Sequence, residues 1–310
     1  MVSFKEIQQR FPTLDAELWQ KADQLFPIRI TRSWFSRMNS SEDPVARQVL
    51  PSFSELSTEG SENPVGELMQ MPVPFVIQKH KDRALLLVSR KCHVYCRYCF
   101  RRNMGTETSP TKQELDTAIQ YIKESGVQEV ILSGGDPLFL PDKKLFSIID
   151  ALASDIPTIR IHTRSPIFYP QRVQSNFLEE LQKRKNIWLI VHINHEQELS
   201  ADVLEALAKI RETGTPILNQ TVLLKGVNDN LSSLENLCTK LISIGIFPYY
   251  LHHTDRVQGA SQFFVSLEEG AKLYRELRRK ISGISLPRYV IDPEDGSGKI
   301  DVLEYMTKDS

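Results

Sequence analysis

Residues 84–102 read ALLLVSRKCHVYCRYCFRR, an apolar run that ends at Ser89 and passes directly into a basic loop carrying Cys92, Cys96 and Cys99. A short apolar run stopped by polar, charged residues reads as a buried strand. The chain beyond repeats this plan. Strand-like runs follow as EVILSGG from Glu129, TIRIHT from Thr158, IWLIVHI from Ile187, PILNQTVLL from Pro216 and FPYYLHH from Phe247. Amphipathic helical patterns occupy 111–125, 142–154, 176–184, 200–213 and 231–244. After the first interval the unit recurs roughly every 30 residues, the period of βαβ units. Such alternation calls for parallel strands joined by right-handed crossovers. Six units close most of a barrel, whereas a doubly wound sheet uses the same pattern with one reversal of direction; a partial (β/α)6 barrel is the preferred reading. In both, chemistry belongs at the carboxyl ends of the strands, where the cysteines lie.

The barrel is expected over 76–285. Residues 1–75 form a helical accessory region, with helical patterns at 4–10 and 14–26 and a Ser/Glu/Gly-rich stretch at 52–63 that reads as a surface connection. The closing segment, 286–310, contains PRYVIDPEDGSGKIDVLEY, two strand-like runs joined by an acidic, glycine-bearing loop.

With 38 basic against 39 acidic residues in 310, no global field draws the chain to nucleic acid or to an anionic membrane. The opening MVSFKEIQQRFPTL lacks the build of a signal peptide, and no apolar run is long enough to span a bilayer, so a cytoplasmic location is expected. Of four cysteines, three lie within eight residues, which argues for thiolates gathered on a metal rather than a disulfide framework. Cys238, in the helix-like LENLCTKLISI, reads as a small buried apolar residue. The CxxxCxxC spacing lets three sulfurs converge from one loop, and the missing fourth ligand is informative. A cubane held by three thiolates leaves one iron open to a substrate or cofactor. The competing reading is a structural zinc site completed by His93 or His80, in a non-catalytic binding protein.

This loop, together with SGGDPL (133–138) at the end of the next strand, resembles the radical S-adenosylmethionine superfamily. The resemblance continues through RIHTRSPIFYPQRV, HINH, NQTVLLKGVND and PRYVIDPEDGSGK, where the chain is similar to the lysine 2,3-aminomutase family, and within it to short bacterial members that make β-lysine for elongation factor P. The resemblance implies a [4Fe-4S] cluster on Cys92, Cys96 and Cys99, with Tyr98 the aromatic residue before the last ligand. It implies S-adenosylmethionine contacts at Ser133, Gly134, Gly135, Asp136, His192 and Gln220. Pyridoxal phosphate is implied on Lys299, in DGSGK, with its phosphate on Arg83. Arg101 matches the arginine that takes the substrate carboxylate, and Asp255 and Asp292 match the acidic pair that takes the distal ammonium in lysine-specific members. The implied reaction is conversion of L-lysine to β-lysine, fed by an electron donor such as flavodoxin or ferredoxin. A separate ligase would then attach the product to elongation factor P. Aminomutases of other amino acids, glutamate among them, and a free-lysine metabolic enzyme stay open. Larger members bind zinc through a C-terminal extension and a cysteine after GVND; Asn230 follows Asp229 here, which implies no such zinc site.

Overall fold

The computed structural model describes residues 1–105 and 109–308. One nine-stranded sheet organises the chain: β1 (Val76–Ile77), β2 (Arg83–Ser89), β3 (Glu129–Gly134), β4 (Thr158–Thr163), β5 (Ile187–His192), β6 (Ile217–Val222), β7 (Phe247–His252), β8 (Arg288–Ile291) and β9 (Ile300–Asp301). Spatial order equals sequence order. Strands β2 to β8 are parallel, while β1 and β9 pair antiparallel at the two edges. Sequential order without a reversal removes the doubly wound alternative, because that topology needs a switch point. The six expected strands are therefore consecutive neighbours, and β8 from the closing segment adds a seventh parallel strand.

Alternation along each strand separates two faces. Val130 and Leu132 of β3, Ile159 and Ile161 of β4, and Leu189 and Val191 of β5 are fully buried against the helices. Their alternates include Ser133, Arg160, His162 and His192, which point the other way and put polar groups on the inner face beside Leu85 and Ile131. The helices supply matching apolar stripes. Helix Lys112–Glu124 starts with a Thr111–Glu114 capping box and buries Leu115, Ala118 and Ile122, spaced to share one face. Residues of the N-terminal region, among them Ile7, Trp34 and Val45, belong to the same apolar core. Among the described residues no helix is long and apolar enough to cross a membrane.

Three local expectations are corrected. The stretch 52–63 is more than a surface connection: Glu55 lies fully buried and accepts from Arg97 Nε at 3.0 Å and from Arg102 Nη2 at 2.9 Å, which ties this segment to the cysteine loop. One buried acid pairs with two buried arginines; removing it would leave both cations without their partner at a cost of about 3–5 kcal/mol. The run VLEY is helical, not a strand, because Asp301, the last residue of β9, accepts from Leu303 N through Oδ1 at 2.9 Å and caps helix Val302–Lys308. Its Val302, with Leu303 and Met306, packs on a second apolar cluster around Leu251, Leu277 and Tyr289. Helix Leu267–Lys280 is additional, and opens with a Ser266–Glu269 capping box. Cys238 is buried in that second cluster, as expected, and Asn230 caps helix Leu231–Ser243 by accepting from Ser233 N.

Candidate active site

The inner face of the sheet encloses one cavity, lined by Leu85 of β2, Ile131 of β3, His162 of β4, His192 of β5, Gln220 of β6 and His252 of β7, with Asp292 just past β8. Strands from both ends of the order face the same space, so the sheet is curled around it. Beneath it, Arg160 donates to Glu129 at 2.6 Å and approaches the Tyr249 hydroxyl of β7 at 3.5 Å, which closes the floor with polar groups. Every residue singled out from the sequence as a site residue lines this cavity except Arg83.

The cysteine loop is wound by successive turns, Cys99 N to Cys96 O at 3.0 Å and Arg102 N to Cys99 O at 3.1 Å. All three thiols are free and reach the cavity. Burial, and after it the charge of Asp136 and of the neighbouring cysteines, push the Cys92 thiol well above its ordinary range, and burial followed by the charge of Cys96 raises Cys99 to about 11. Thiols that oppose one another's ionisation are poor isolated nucleophiles, but a cation among them reverses the sign of that interaction. The histidines of the zinc alternative are elsewhere: His93 Nδ1 is 2.8 Å from Ser165 Oγ, and His80 lies against Gly298. Neither lines the cavity that the cysteines share. Among the described residues no three His, Cys, Asp or Glu side chains converge on one ion position, which a cubane does not require, since each cysteine there takes its own iron.

The glycines of SGGD make their close approach to the protein itself. Gly134 has φ +117°, and a Cβ there would stand 2.2 Å from Ser89 O; at Gly135 it would stand 2.5 Å from Lys91 O. Gly135 N donates to Ser89 O at 2.6 Å and Asp136 N to Lys91 O at 2.9 Å, so this segment seats the root of the cysteine loop. The Asp136 carboxylate accepts from Thr163 Oγ1, Arg164 N and Leu138 N at 2.6–2.9 Å and joins the ends of β3 and β4.

Charged groups of both signs line the cavity. Arg101 forks onto Glu67 at 2.7 and 2.6 Å and donates to Ser133 Oγ at 3.1 Å. Burial works against its charge, but Glu67 outweighs that and keeps it firmly protonated. Asp292 accepts from Lys79 Nζ at 2.8 Å and Lys299 Nζ at 3.4 Å; burial alone would raise its pKa, yet the two lysines hold it below the usual carboxylate range. Asp255 has no ion pair among the described residues. Burial first, and then the charge of Asp292, raise its pKa to about 7 against the pull of Lys299. His162, His192 and His252 are kept neutral, chiefly by burial, with His252 lowered to about 3. Gln220 is the register neighbour of His192. The Tyr98 ring borders the cavity, while its hydroxyl accepts from Asn194 Nδ2 at 2.7 Å.

The radical SAM superfamily pattern matches residues 86–237. The chain is 39% identical over 292 residues to an L-lysine 2,3-aminomutase of Escherichia coli, covering 90% of this chain and 85% of that one. It is 38% identical to the enzyme of that name from Buchnera aphidicola, again over 90% and 85%. The chain belongs to the lysine 2,3-aminomutase family. It is 35% identical to the Clostridium subterminale member, over 86% of this chain and 65% of that one. Among solved structures, Streptococcus suis SuiB bound to S-adenosylmethionine matches with TM-score 0.52 at 16% identity, over 67% of this chain and 49% of that one, a likeness of fold. A lysine 2,3-aminomutase family member is an enzyme of the isomerase class and a radical SAM protein. The three half-buried, cavity-facing thiols fit the cluster that the superfamily carries.

Three groups with direct bearing on the family's chemistry escaped the sequence reading. Glu67 occupies the fork of Arg101, Lys79 occupies Asp292, and Arg164 reaches Cys96 Sγ at 3.1 Å. Their partners lie 34, 213 and 68 residues away along the chain, so no local pattern announces them. Arg83, the one expected site residue off the cavity lining, begins β2 and pairs with Asp82 at 3.1 Å. Its charge and that of Lys299 both act to lower the pKa of His80, for which burial is the largest cause.

Proposed function

We propose that the protein is a cytoplasmic L-lysine 2,3-aminomutase that moves the α-amino group of lysine to the β-carbon, with a [4Fe-4S] cluster on Cys92, Cys96 and Cys99, S-adenosylmethionine, and pyridoxal phosphate on Lys299. The observation that carries this reading is that one cavity is lined by the three cysteines, Arg101, Asp255, Asp292 and Lys299 together. Bound there, the cluster with S-adenosylmethionine supplies a carbon radical that removes hydrogen, and pyridoxal phosphate supplies the C=N bond across which nitrogen migrates.

The side chains have separable tasks. Arg101 holds the substrate carboxylate through its permanent charge and its Nη1 side, while Glu67 takes the Nε–Nη2 edge and fixes the guanidinium in place. Asp255 and Asp292 take the distal ammonium. Two neighbouring acids, one raised to about 7 by burial and the other's charge, are relieved by a cation arriving between them, which favours lysine over glutamate. Asp292 keeps Lys299 within reach of the cavity. Ser133, His192, Gln220 and the strand edge at Gly134–Asp136 border the space assigned to S-adenosylmethionine, with Tyr98 beside the last ligand. Family resemblance assigns Arg83, a planar permanent cation, to the phosphate of pyridoxal phosphate.

The electron comes from a flavodoxin- or ferredoxin-class donor, and the product passes to elongation factor P through a separate ligase. Resemblance to the short bacterial members supports both assignments. The test is an anaerobic assay with dithionite, S-adenosylmethionine, pyridoxal phosphate and a panel of amino acids. Lysine is expected to turn over and glutamate is not; the reverse outcome overturns the assignment.

A further inference from the structure

Arg164 follows β4 directly, and its guanidinium is buried, with 6% of the residue exposed. Each nitrogen has a protein partner. Nε donates to His192 O at 3.1 Å, Nη2 to Gln48 Oε1 at 2.5 Å and to Glu198 Oε2 at 2.9 Å, and Nη1 to the Tyr98 hydroxyl and to Cys96 Sγ at 3.1 Å. Aromatic rings pack around the guanidinium, Phe168 at 4.4 Å and Trp34 at 5.2 Å. Glu198 is itself fixed by Gln48 Nε2 and by the backbone of Asn194 and His195 at 3.0–3.1 Å. A permanent cation is therefore held rigidly against the sulfur of one expected cluster ligand, with one buried acid behind it.

We propose that Arg164 is a positioning residue that sets the reduction potential of the cluster, by donating an N–H to Cys96 Sγ and by placing a fixed positive charge beside it. The inference rests on the cluster assignment made above. Reduction adds one electron, from dithionite in the assay or from the flavodoxin- or ferredoxin-class donor, and no bond is made or broken at Arg164. A hydrogen bond to the ligand sulfur draws charge from it, and a buried cation stabilises the more negative reduced cluster more than the oxidised one. Arg164 therefore raises the potential, and Glu198 partly offsets it. The structural role of the same network is separable, because removing either partner breaks the same ion pair but changes the local charge in opposite directions.

The test is potentiometry followed by electron paramagnetic resonance on anaerobically reconstituted wild type, Arg164→Gln, Glu198→Gln and the double variant, without S-adenosylmethionine. At a fixed poise Arg164→Gln is expected to lower the ratio of reduced to oxidised cluster about tenfold, equivalent to about 59 mV for one electron. Glu198→Gln is expected to move it upward, and the double variant to fall between the two. The inference is overturned if Arg164→Gln poises as wild type, or if both single variants shift the same way, the result expected of a network that only holds the loop in place. Should Arg164→Gln fail to retain iron, Glu198→Gln decides alone: an upward shift supports the inference, and an unchanged or lowered ratio defeats it. A wild-type protein that assembles no four-iron cluster would instead overturn the functional reading.

Discussion

In the proposed lysine site, Asp255 is expected to give substrate binding a pH dependence whose size follows from its surroundings. Burial and the neighbouring Asp292 raise its pKa to about 7, so near neutrality it divides between acid and carboxylate. Only the carboxylate can pair with the substrate's distal ammonium, which itself stays protonated well above this range. With a midpoint near 7, about one-tenth of Asp255 is ionised at pH 6 and about nine-tenths at pH 8. The sign is set by the raised pKa: binding is expected to be strong above pH 7 and to weaken as the pH falls through it. The KM for lysine should rise about tenfold from pH 8 to pH 6, equivalent to about 1.4 kcal/mol, with little change in kcat because saturating lysine holds the ionised form. Initial rates under anaerobic conditions measure this. Binding of norleucine, which lacks the distal ammonium, serves as the control and should vary little over the same range. Asp255→Asn should weaken lysine at every pH and flatten the profile. A KM independent of pH between 6 and 8, or an unchanged profile in Asp255→Asn, would refute the reasoning.

Gly134→Ala would force a Cβ to 2.2 Å from Ser89 O at a φ of +117°, so a loss of about 2–5 kcal/mol is expected together with lower iron content, read by thermal unfolding and iron analysis. Wild-type values for both would show that the junction with the cysteine loop yields more easily than its geometry implies. Borohydride reduction should fix pyridoxal to the peptide carrying Lys299, and Lys299→Ala should lose the visible imine absorbance while keeping that of the cluster. Retention of the imine signal in that variant would point to another lysine.

Much of the architecture was legible because it is written in short periods. Apolar runs beginning near Ala84 and recurring to Phe247 mark strands whose order in space repeats their order in sequence. The CxxxCxxC spacing is likewise local, since one loop supplies all three sulfurs. The closing VLEY was misread because the helix is only seven residues long and a single Asp301 cap after a two-residue β9 separates strand from helix there. The charged partnerships were not legible at all. Glu55 with Arg97 and Arg102, Glu67 with Arg101, and Glu198 with Arg164 form only when distant segments fold together, and each acid alone reads as a solvated surface group. Lys299 is the same kind of case. Its loop is polar, so only family resemblance singled it out, and its approach to Asp292 is a product of the fold.

The most direct measurement follows the nitrogen. Anaerobically reconstituted protein, given S-adenosylmethionine, pyridoxal phosphate, dithionite and lysine labelled with nitrogen-15 at its α-amino group, is predicted to yield β-lysine with the label on the β-carbon, and a Cys96→Ser variant is predicted to yield none. Lysine recovered unchanged from the wild type, or label released as free ammonia, would contradict the account.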